Sequence, residues 1–552
     1  MKTLSVIATL IGTAALGAGQ ITPAEKKAAG TITPDVLRAH IRFLASDLLE
    51  GRFPATRGDQ LAEEYVASQL EALGVKPGGP NGSWFQSFSV VGLNGHPDTM
   101  TISKGAEKLE LKTLQDFIAS AGKQNPESRL ENAEIVFVGY GIVAPEYQWD
   151  DYKGADLKGK VLLMMNNDPD WDPNLFAGKT RLWYGRWDYK YESAAKTGAA
   201  GAIIIHTTPS AGYPWQVVQT SWSGEQFSLP YEGGPRLEVR GWATEDASKR
   251  IAAMAGKDLA ALIESAKNRN FRPVPLGVTA STAFHNEVSK KQTENVIGVL
   301  KGSDPKLSQQ VVIYTAHHDH LGVKKGVKQG EDSIYNGAVD NASGVSGLLA
   351  IARAYAALPK PPRRTIMFAA VAAEEQGLLG SEYLAKHPPV PPGAFAADIN
   401  MDSLNIWGRT KDVSFIGLGK SSLDTYVKEL AAMQGRVVKP DEMPDRGFFY
   451  RSDQFNLAKI GVPAAYFHSG LEFIGKPEGW GKKTREEWEA THYHQPSDEL
   501  KDSWTFDGMV EDVQLYFYLG EKVAQADKMP EWNKGDEFEQ ARKNALMTVG
   551  QR

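Results

Sequence analysis

The chain has 552 residues, of which 42% are hydrophobic, 23% charged and 10% aromatic, and none is cysteine. This composition is typical of a globular protein with apolar material for two or three domains, and it excludes a disordered chain, a fibrous repeat and a disulfide scaffold. Lys and Arg number 61 against 67 Asp and Glu, for a net charge of −6, and no long basic run is present. We therefore expect no nucleic-acid partner.

Residues 1–19 have the pattern of a cleavable signal peptide. Lys2 precedes a short apolar run, and the small residues Gly17, Ala18 and Gly19 offer a cleavage point. The run is too short to cross a bilayer comfortably and no second apolar segment follows it, so we expect no stable membrane anchor, with a short anchoring helix as the alternative. The sequence therefore predicts a periplasmic or secreted protein.

Two amphipathic helices are predicted within residues 20–127. The first begins at Thr33, a capping residue, with Pro34 at the first helical position. Its apolar stripe consists of Leu37, Ile41, Leu44 and Leu48. The second helix is predicted from about Asp59 to Gly74, and irregular or strand-like sequence follows it.

Residues 128–285 form a second region, in which short apolar runs predict buried strands. Its many aromatic residues are interpreted as packing residues, with the wall of a substrate cleft as the alternative. A loop with alternating Asp168, Asp170 and Asp172 lacks the full calcium-binding pattern, so it does not predict a calcium site.

Strands and helices alternate in residues 286–552. Short apolar runs at 311–315, 365–372, 395–399 and 463–467 predict strands, and a final amphipathic helix is predicted over 505–526. Alternation of this kind predicts an α/β fold in which helices flank a mostly parallel central sheet on both faces.

Polar residues follow the carboxyl ends of three of these strands. They are His317 after the first, the pair Glu374 and Glu375 after the second, and Asp402 after the third. In open parallel sheets, ligand sites gather at this edge. Each residue alone is more often a core histidine, a solvated carboxylate or a helix cap, but the set in this order predicts one site.

The histidines support this interpretation. Five of the eleven lie in two short stretches, one at 317–320 and one at 492–494. Imidazole and carboxylate groups without thiolate are typical of a catalytic zinc site, and two neighbouring zinc ions need a shared carboxylate.

The motifs taken together resemble one family of enzymes. They are Ala316-His-His-Asp-His-Leu-Gly, Asn336-Gly-Ala-Val-Asp-Asn-Ala-Ser-Gly, Glu374-Glu-Gln-Gly-Leu-Leu-Gly-Ser, Asn400-Met-Asp and Tyr493-His-Gln-Pro. Their order is similar to that in the co-catalytic zinc exopeptidases, which include bacterial leucyl aminopeptidases, aminopeptidase Y and glutamate carboxypeptidase II. Residues 128–285 resemble the β-rich protease-associated domain often inserted in these enzymes. The resemblance implies a peptidase domain formed by residues 20–127 and 286–552.

This resemblance implies a site that holds two zinc ions. The implied ligands are His317 and Asp402 for one ion, Glu375 and His494 for the other, and Asp340 as the bridge. Glu374 would be the general base, taking a proton from the attacking water and later protonating the leaving amine. Asp319 would accept a hydrogen bond from His317, and the peptide bond between Asp340 and Asn341 would be cis.

The chain departs from the family pattern in places. Many relatives have Ser-Asp-His where this chain has Ser452-Asp453-Gln454, which implies an altered pocket because the replaced histidine binds no metal in the family. Tyr450 and Arg451 lie beside it and are predicted to line the substrate pocket. His318, His320 and His492 match no ligand position and are expected to support the ligands or the fold.

The sequence therefore predicts a periplasmic or secreted dizinc aminopeptidase that acts on peptides. A glutamate-releasing carboxypeptidase is the nearest alternative, followed by a cyclase-like relative with one zinc ion. A non-catalytic protein like the transferrin receptor is a third, but all five ligand positions and the base are present. The sequence carries no signal for residue specificity or oligomeric state.

Overall fold

The computed structural model describes residues 21–324 and 328–550, with the side chains of 549 and 550 left aside. The predicted signal peptide lies outside the described residues. No helix in the described ranges is both long and apolar enough to cross a bilayer.

The strands are, in chain order, β1 (Lys76–Pro77), β2 (Phe85–Asn94), β3 (Thr99–Lys104), β4 (Glu107–Lys112), β5 (Phe117–Ala121), β6 (Glu127–Phe137), β7 (Val143–Ala144), β8 (Trp149–Asp150), β9 (Val161–Met165), β10 (Gly201–His206), β11 (Gln226–Ser228), β12 (Val239–Thr244), β13 (Val274–His285), β14 (Glu287–Leu300), β15 (Val311–His317), β16 (Gly322–Val323), β17 (Ile334–Tyr335), β18 (Thr365–Val371), β19 (Phe395–Asn400), β20 (Asp412–Ile416), β21 (Val437–Pro440) and β22 (Ala464–Ser469).

The α-helices are α1 (Pro23–Ala29), α2 (Pro34–Leu44), α3 (Arg57–Ala72), α4 (Trp187–Lys196), α5 (Thr208–Ala211), α6 (Trp215–Ser221), α7 (Glu245–Met254), α8 (Leu259–Ser265), α9 (Gly344–Ala356), α10 (Leu379–Lys386), α11 (Leu423–Met433), α12 (Gln454–Lys459), α13 (Trp480–Thr491), α14 (Asp507–Gln525) and α15 (Glu539–Gly550).

The larger sheet contains ten strands of the described chain. Nine of them follow the order β11-β2-β14-β18-β15-β19-β22-β20-β21, and β1 pairs with β14. The four central strands, β18, β15, β19 and β22, are parallel to one another, whereas β14 and β20 pair with them antiparallel. The predicted α/β fold is therefore confirmed, with the parallel part confined to the middle of the sheet, where every residue of these strands is buried.

Helices cover both faces of this sheet. Val312 and Tyr314 of β15 pack on one face with α2, α3, α9 and α14. Ile313, on the opposite face of the same strand, packs with α10 and α12. Because side chains alternate along a strand, a strand buried on both faces is apolar throughout, which is why β15 reads as a continuous apolar run.

The helix α2 begins as predicted but ends earlier. The Thr33 hydroxyl accepts the N–H of Val36 at the start, and the helix ends at Leu44. Leu48, which we expected on the buried stripe, is 79% exposed because Ser46 starts a tight turn over Asp47–Arg52. In this turn Gly51 has a φ of 68° and a Cβ there would clash with the carbonyl oxygen of Gly322, so glycine lets the chain pass close to β16.

The second sheet contains eight strands of the described chain in the order β4-β3-β13-β6-β9-β10-β12-β5. Its strands come from residues 99–285, so the sheet extends N-terminal of position 128. One segment of this region, β11, leaves the second sheet and pairs with β2 at the edge of the larger sheet. The assignment of this region as a protease-associated domain stays a prediction.

Candidate metal centre

The predicted ligands follow central strands of the larger sheet. The parallel register pairs His317 of β15 with Val371 of β18, and Thr315 with Asn400 of β19, so the three strands end at one edge. Glu374, Glu375 and Asp402 come directly after these ends. Asp340 lies in the segment that leads into α9, and His494 lies in the turns after α13.

The five predicted ligands meet around Asp340. One carboxylate oxygen of Asp340 lies 3.2 Å from Nε2 of His317, and the other lies 3.3 Å from Nε2 of His494. Nε2 of His494 is also 3.0 Å from Oε2 of Glu375, and Nε2 of His317 is 3.6 Å from Oδ1 of Asp402. We call these residues, His317, Asp340, Glu375, Asp402 and His494, the metal-facing cluster.

The metal-facing cluster has donor atoms suited to metal binding. Nε2 of His317 and Nε2 of His494 are buried and have no hydrogen-bond partner among the described residues. Ligand atoms of a tetrahedral zinc ion at 2.0–2.1 Å lie about 3.3 Å apart, and the separations around Asp340 match that spacing. Imidazole nitrogen and carboxylate oxygen without sulfur are donors that zinc accepts. The peptide bond Asp340–Asn341 is cis, as predicted.

The carboxylates of Glu375 and Asp340 make the space beside His494 strongly favourable for positive charge. Burial lowers the pKa of His494, but Glu375 and Asp340 outweigh it and raise that pKa to about 10. Burial likewise opposes ionisation of Glu375, yet His494 and His320 hold its pKa at about 2. A cation bound between these groups would replace the proton on the imidazole.

Glu374 lies beside the cluster rather than within the bridge. Its Oε2 is 3.9 Å from Nε2 of His317, and its side chain is 11% exposed to the cleft above. Burial raises the pKa of Glu374 well above its ordinary value, and the nearby carboxylate of Glu375 adds to the shift. The group is therefore suited to accept a proton.

Asp319 has a different partner from the one expected. Nδ1 of His317 lies 3.3 Å from the main-chain oxygen of Asp319 and 3.7 Å from its carboxylate, so the main chain is the closer acceptor. The carboxylate instead accepts the N–H of Glu374 at 3.0 Å and the N–H of Glu375 at 3.3 Å. Asp319 thus fixes the segment that carries both glutamates.

Two further residues hold the cluster in place. Both carboxylate oxygens of Asp498 accept main-chain N–H groups, from Val339 at 2.9 Å and from Asp340 at 3.1 Å. Nδ1 of His320 lies 2.6 Å from Oε1 of Glu375. His320 therefore supports a predicted ligand, as expected for a metal site.

Arg52 is a buried cation that sequence patterns did not reveal. Its guanidinium is 1% exposed and donates to the main-chain oxygens of His318, Asn336 and Gly337 at 2.7–3.0 Å, and to that of Leu44. Burial lowers its pKa to about 10, so it remains charged at neutral pH. Nothing local distinguishes Arg52 in the sequence, because all of its acceptors are main-chain atoms.

A second histidine and carboxylate group, the inner cluster, lies on the other side of the β15 end. Its members are Asp59, Glu63 and His318. Nε2 of His318 is 3.1 Å from Oδ1 of Asp59 and 3.9 Å from Oε1 of Glu63. Its three side chains are almost completely buried, so this cluster has no opening to a substrate. The third unassigned histidine, His492, is half-buried and bonds to the hydroxyl of Thr491.

A cleft opens over the metal-facing cluster. Aromatic side chains form much of its wall: Tyr213, Trp407, Phe448, Tyr466, Trp488 and Tyr493. Arg451 lines the cleft as predicted. Tyr450 does not: its side chain is 2% exposed and its hydroxyl donates to Glu537 at 2.6 Å, so the prediction for Tyr450 is wrong.

One hydrogen-bond chain in this cleft leaves a free donor. Arg485 can only donate, so Nδ1 of His468 accepts at 3.3 Å and the ring proton is assigned to Nε2. Nε2 then donates to the Tyr466 hydroxyl at 2.8 Å. Burial, together with the positive charges of Arg485 and Arg451, holds the pKa of His468 well below its ordinary value, so the ring is neutral. The hydroxyl proton of Tyr466 is left for a group in the cleft.

The second region also contacts the site. The Ser221 hydroxyl of α6 lies 2.8 Å from Nδ1 of His494, and the N–H of Phe227 in β11 donates to the Gln376 side chain at 2.8 Å. Sequence reasoning missed both contacts, since 273 residues separate Ser221 from His494.

Comparisons with known proteins place part of this chain near a family of peptidases. Residues 295–518 match the model of peptidase family M28. Aminopeptidase NAALADL1 of Mus musculus is 25% identical over 361 residues, which cover 56% of this chain and 42% of that protein. The probable glutamate carboxypeptidase LAMP1 of Arabidopsis thaliana is 25% identical over 317 residues, covering 52% and 43%. The chain thus spans less than half the length of these two relatives.

The fold is similar to that of a solved structure. The aminopeptidase from Aneurinibacillus sp. strain AM-1 superposes with a TM-score of 0.54 at 21% identity, covering 92% of this chain and 97% of that chain.

Proposed function

Since the chain contains a peptidase family M28 domain, we propose that it is a zinc-dependent exopeptidase that removes residues from the N-terminus of peptides. The observation that carries this proposal is the convergence of two unpartnered imidazole nitrogens and the carboxylates of Glu375 and Asp402 around Asp340, with Glu374 beside them. The names of the Mus musculus relative and of the Aneurinibacillus structure, both aminopeptidases, support the direction of cleavage.

The proposal assigns the metal-facing cluster to two zinc ions. His317 and Asp402 would hold one ion, Glu375 and His494 the other, and Asp340 would contribute one oxygen to each. When bound, the pair would polarise the scissile carbonyl and stabilise the negative charge that develops on its oxygen. Asp498 and Arg52 keep the segment with Asp340 in position through main-chain hydrogen bonds.

Glu374 moves the protons in this proposal. Its carboxylate accepts a proton from the attacking water and delivers it to the nitrogen of the leaving group. Its raised pKa favours the first step, and a positioned base of this kind contributes about 10²–10⁴-fold to the rate. Asp319 holds the main chain of Glu374, so the carboxylate keeps its place at the cleft floor.

A substrate in the cleft would meet both apolar and polar groups. The aromatic wall suits an apolar side chain of the peptide, and the Tyr466 hydroxyl can donate to a main-chain oxygen of the peptide. Glu489 also lines the cleft and pairs with Arg446, so an α-amino group there would share a carboxylate that a guanidinium already contacts.

A carboxypeptidase is the second candidate, because of two arginines. Arg451 and Arg485 line the cleft, and their side-chain hydrogen bonds among the described residues go to Tyr493, His468 and Ser469 rather than to a carboxylate. Guanidinium groups without a carboxylate partner suit the carboxylate of a substrate. The name of the Arabidopsis thaliana relative points in the same direction.

The proposal also includes export. Residues 1–19 have the pattern of a cleavable signal peptide, so the mature protein is expected in the periplasm or medium. Cell fractionation followed by N-terminal sequencing would test this, and an intact Met1 on cytosolic protein would contradict it.

The direction of cleavage is tested with one tetrapeptide and its N-acetylated form, each incubated with and without a chelator. Mass spectrometry should find chelator-sensitive loss of the first residue from the free peptide only. Loss of the last residue from both peptides would assign a carboxypeptidase instead. No cleavage by protein that binds zinc would contradict catalysis and favour a receptor-like role.

A further inference from the structure

The hydrogen bond between Ser221 and His494 connects the region of the second sheet to a predicted metal ligand in the domain of the larger sheet. Ser221 is the last residue of α6 and belongs to the region of the second sheet, whereas His494 belongs to the larger sheet's domain. The 2.8 Å separation of the Ser221 hydroxyl from Nδ1 is that of a good hydrogen bond. His494 is 6% exposed, so water does not compete freely for this nitrogen.

The direction of this bond follows from the other ring nitrogen. If Nε2 binds a metal ion, the ring proton is on Nδ1, which then donates to the Ser221 oxygen. Nδ1 of His494 has no other hydrogen-bond partner in the described parts of the chain. Ser221 is therefore the group that selects the tautomer of His494 and fixes the rotation of its ring.

The other imidazole of the metal-facing cluster is supported differently. Nδ1 of His317 lies near the main-chain oxygen of Asp319, two residues along the same chain segment. The position formed by His317 and Asp402 therefore needs nothing from the second region. The two metal positions thus differ in what orients their histidine.

A second contact from the same region reaches the same metal position. The N–H of Phe227 in β11 donates to Gln376, which directly follows the predicted ligand Glu375. Glu375 and His494 are the two ligands that would belong to the second ion alone. Residues 221–227 therefore bond to His494 directly and to the residue that follows Glu375.

We infer that Ser221 is a positioning residue for His494, and that the region of the second sheet thereby completes one of the two metal positions. This inference rests on the proposed function, in that it assumes two bound zinc ions. Residues that orient a metal-bound imidazole typically change metal affinity 10–100-fold when removed. Linkage then requires that zinc at this position in turn stabilises the docking of α6.

The test is zinc affinity measured without substrate, by competition with a chelating dye, on the full chain. The Ser221→Ala variant should bind one zinc ion about 10–100-fold more weakly and the other with unchanged affinity. Ser221→Thr keeps the hydroxyl and should stay close to wild type. Ser223→Ala is the matched control, because Ser223 is exposed two residues away and its hydroxyl contacts only the main chain of Thr220.

Hydrogen exchange of α6 gives a second readout. Zinc should slow exchange of the α6 amides in wild-type protein and in Ser223→Ala, and should slow it much less in Ser221→Ala. Equal thermal stability of the zinc-depleted proteins would show that the variants fold alike.

The outcomes separate the inference from the proposed function. Wild-type protein that binds fewer than two zinc ions would contradict both. Wild-type protein with two ions, whose affinities are the same in Ser221→Ala, would contradict the inference alone. Weakening of both ions equally in Ser221→Ala would also overturn it, because the His317 position has its own support.

Discussion

His317 and His318 are neighbours in the chain, yet their rings enter two clusters of similar composition, the metal-facing cluster and the inner cluster. Both clusters combine imidazole with carboxylates at short distances. In the inner cluster the atoms that face one another have hydrogen-bond partners. Asp59 lies 3.1 Å from Nε2 of His318 and also accepts the hydroxyl of Thr293, and Glu63 accepts the N–H of Glu294. In the metal-facing cluster Nε2 of both histidines has no such partner among the described residues.

The difference shows that residue types alone do not identify a metal site. A buried polar atom without a partner is costly, so its presence implies that something else satisfies it. Among the described residues, the inner cluster leaves only Nδ1 of His318 without a partner, while its Nε2 is paired with Asp59; the metal-facing cluster leaves the very nitrogens that face its carboxylates. Access points the same way, since the metal-facing cluster opens to the cleft and the inner cluster does not.

The largest expected effect separates proton transfer by Glu374 from metal binding by the metal-facing cluster. The Glu374→Gln variant should lose about 10²–10⁴-fold in kcat, because the amide cannot accept the proton. Its zinc content should remain two ions per chain, since Glu374 lies outside the bridge around Asp340. Steady-state kinetics and elemental analysis of the same preparation measure both, and loss of zinc would contradict the division of roles between Glu374 and Glu375.

Replacing each of the two neighbouring histidines by leucine tests the comparison directly. His318→Leu should cost about 3–5 kcal/mol of unfolding free energy, because it leaves buried carboxylates without their partner. Burial opposes charge on His318, but Asp59 and Glu63 raise its pKa above the ordinary value. His317→Leu should lose zinc instead. Urea unfolding and metal analysis distinguish them, and equal zinc loss in both variants would break the comparison.

The pH dependence of stability sharpens the description of the inner cluster. Burial, followed by Asp59, raises the pKa of Glu63 from 4.5 to about 8. Between these values the folded chain holds a proton that the unfolded chain has lost. The stabilisation is therefore complete below about pH 4.5 and is lost as pH rises to about 8, at up to about 1.4 kcal/mol per pH unit.

The Glu63→Gln variant should lack this contribution. From pH 5 to pH 7, the wild type should lose about 3 kcal/mol of unfolding free energy relative to the variant. Urea titrations of both proteins at each pH measure the difference, and parallel pH profiles would show that Glu63 is ionised in the folded chain.

The smallest expected effects concern two adjacent residues near the cleft. Arg451→Met should lower kcat/KM about 10–100-fold for substrates with a carboxylate in reach, because a hydrogen bond to a charged group is worth about 1.5–3 kcal/mol. Tyr450→Phe should leave kcat/KM unchanged and cost about 1 kcal/mol of stability through its bond to Glu537. A kinetic effect of Tyr450→Phe equal to that of Arg451→Met would contradict the cleft geometry.

Many residues at the carboxyl edge of the central strands were predictable, because their positions depend on the local sequence pattern. The strand before His317 is continuously apolar, and a polar residue directly after such a run is expected at the carboxyl edge of a parallel sheet. The cap at Thr33 was found for the same reason, since a capping residue followed by proline acts within one turn.

The residues that were missed act across long separations or through main-chain atoms. Ser221 belongs to another sheet than His494, and no spacing rule connects them. Arg52 binds carbonyl oxygens, which every residue has, so its partners leave no trace in the sequence. Leu48 kept the helical spacing of the stripe, but the turn from Ser46 to Arg52 overrode it.

The pairing of β2 with β14 has a consequence for biosynthesis. Phe85 pairs with Val296, so the ladder between β2 and β14 cannot be completed until 211 more residues have been made. At about 5–20 residues per second this delay is roughly 10–40 s. The second sheet draws its strands from the intervening chain, so we expect it to assemble first while the amphipathic helices α2 and α3 wait with their apolar faces exposed. Chaperone demand during synthesis should therefore concentrate on the segment 34–94.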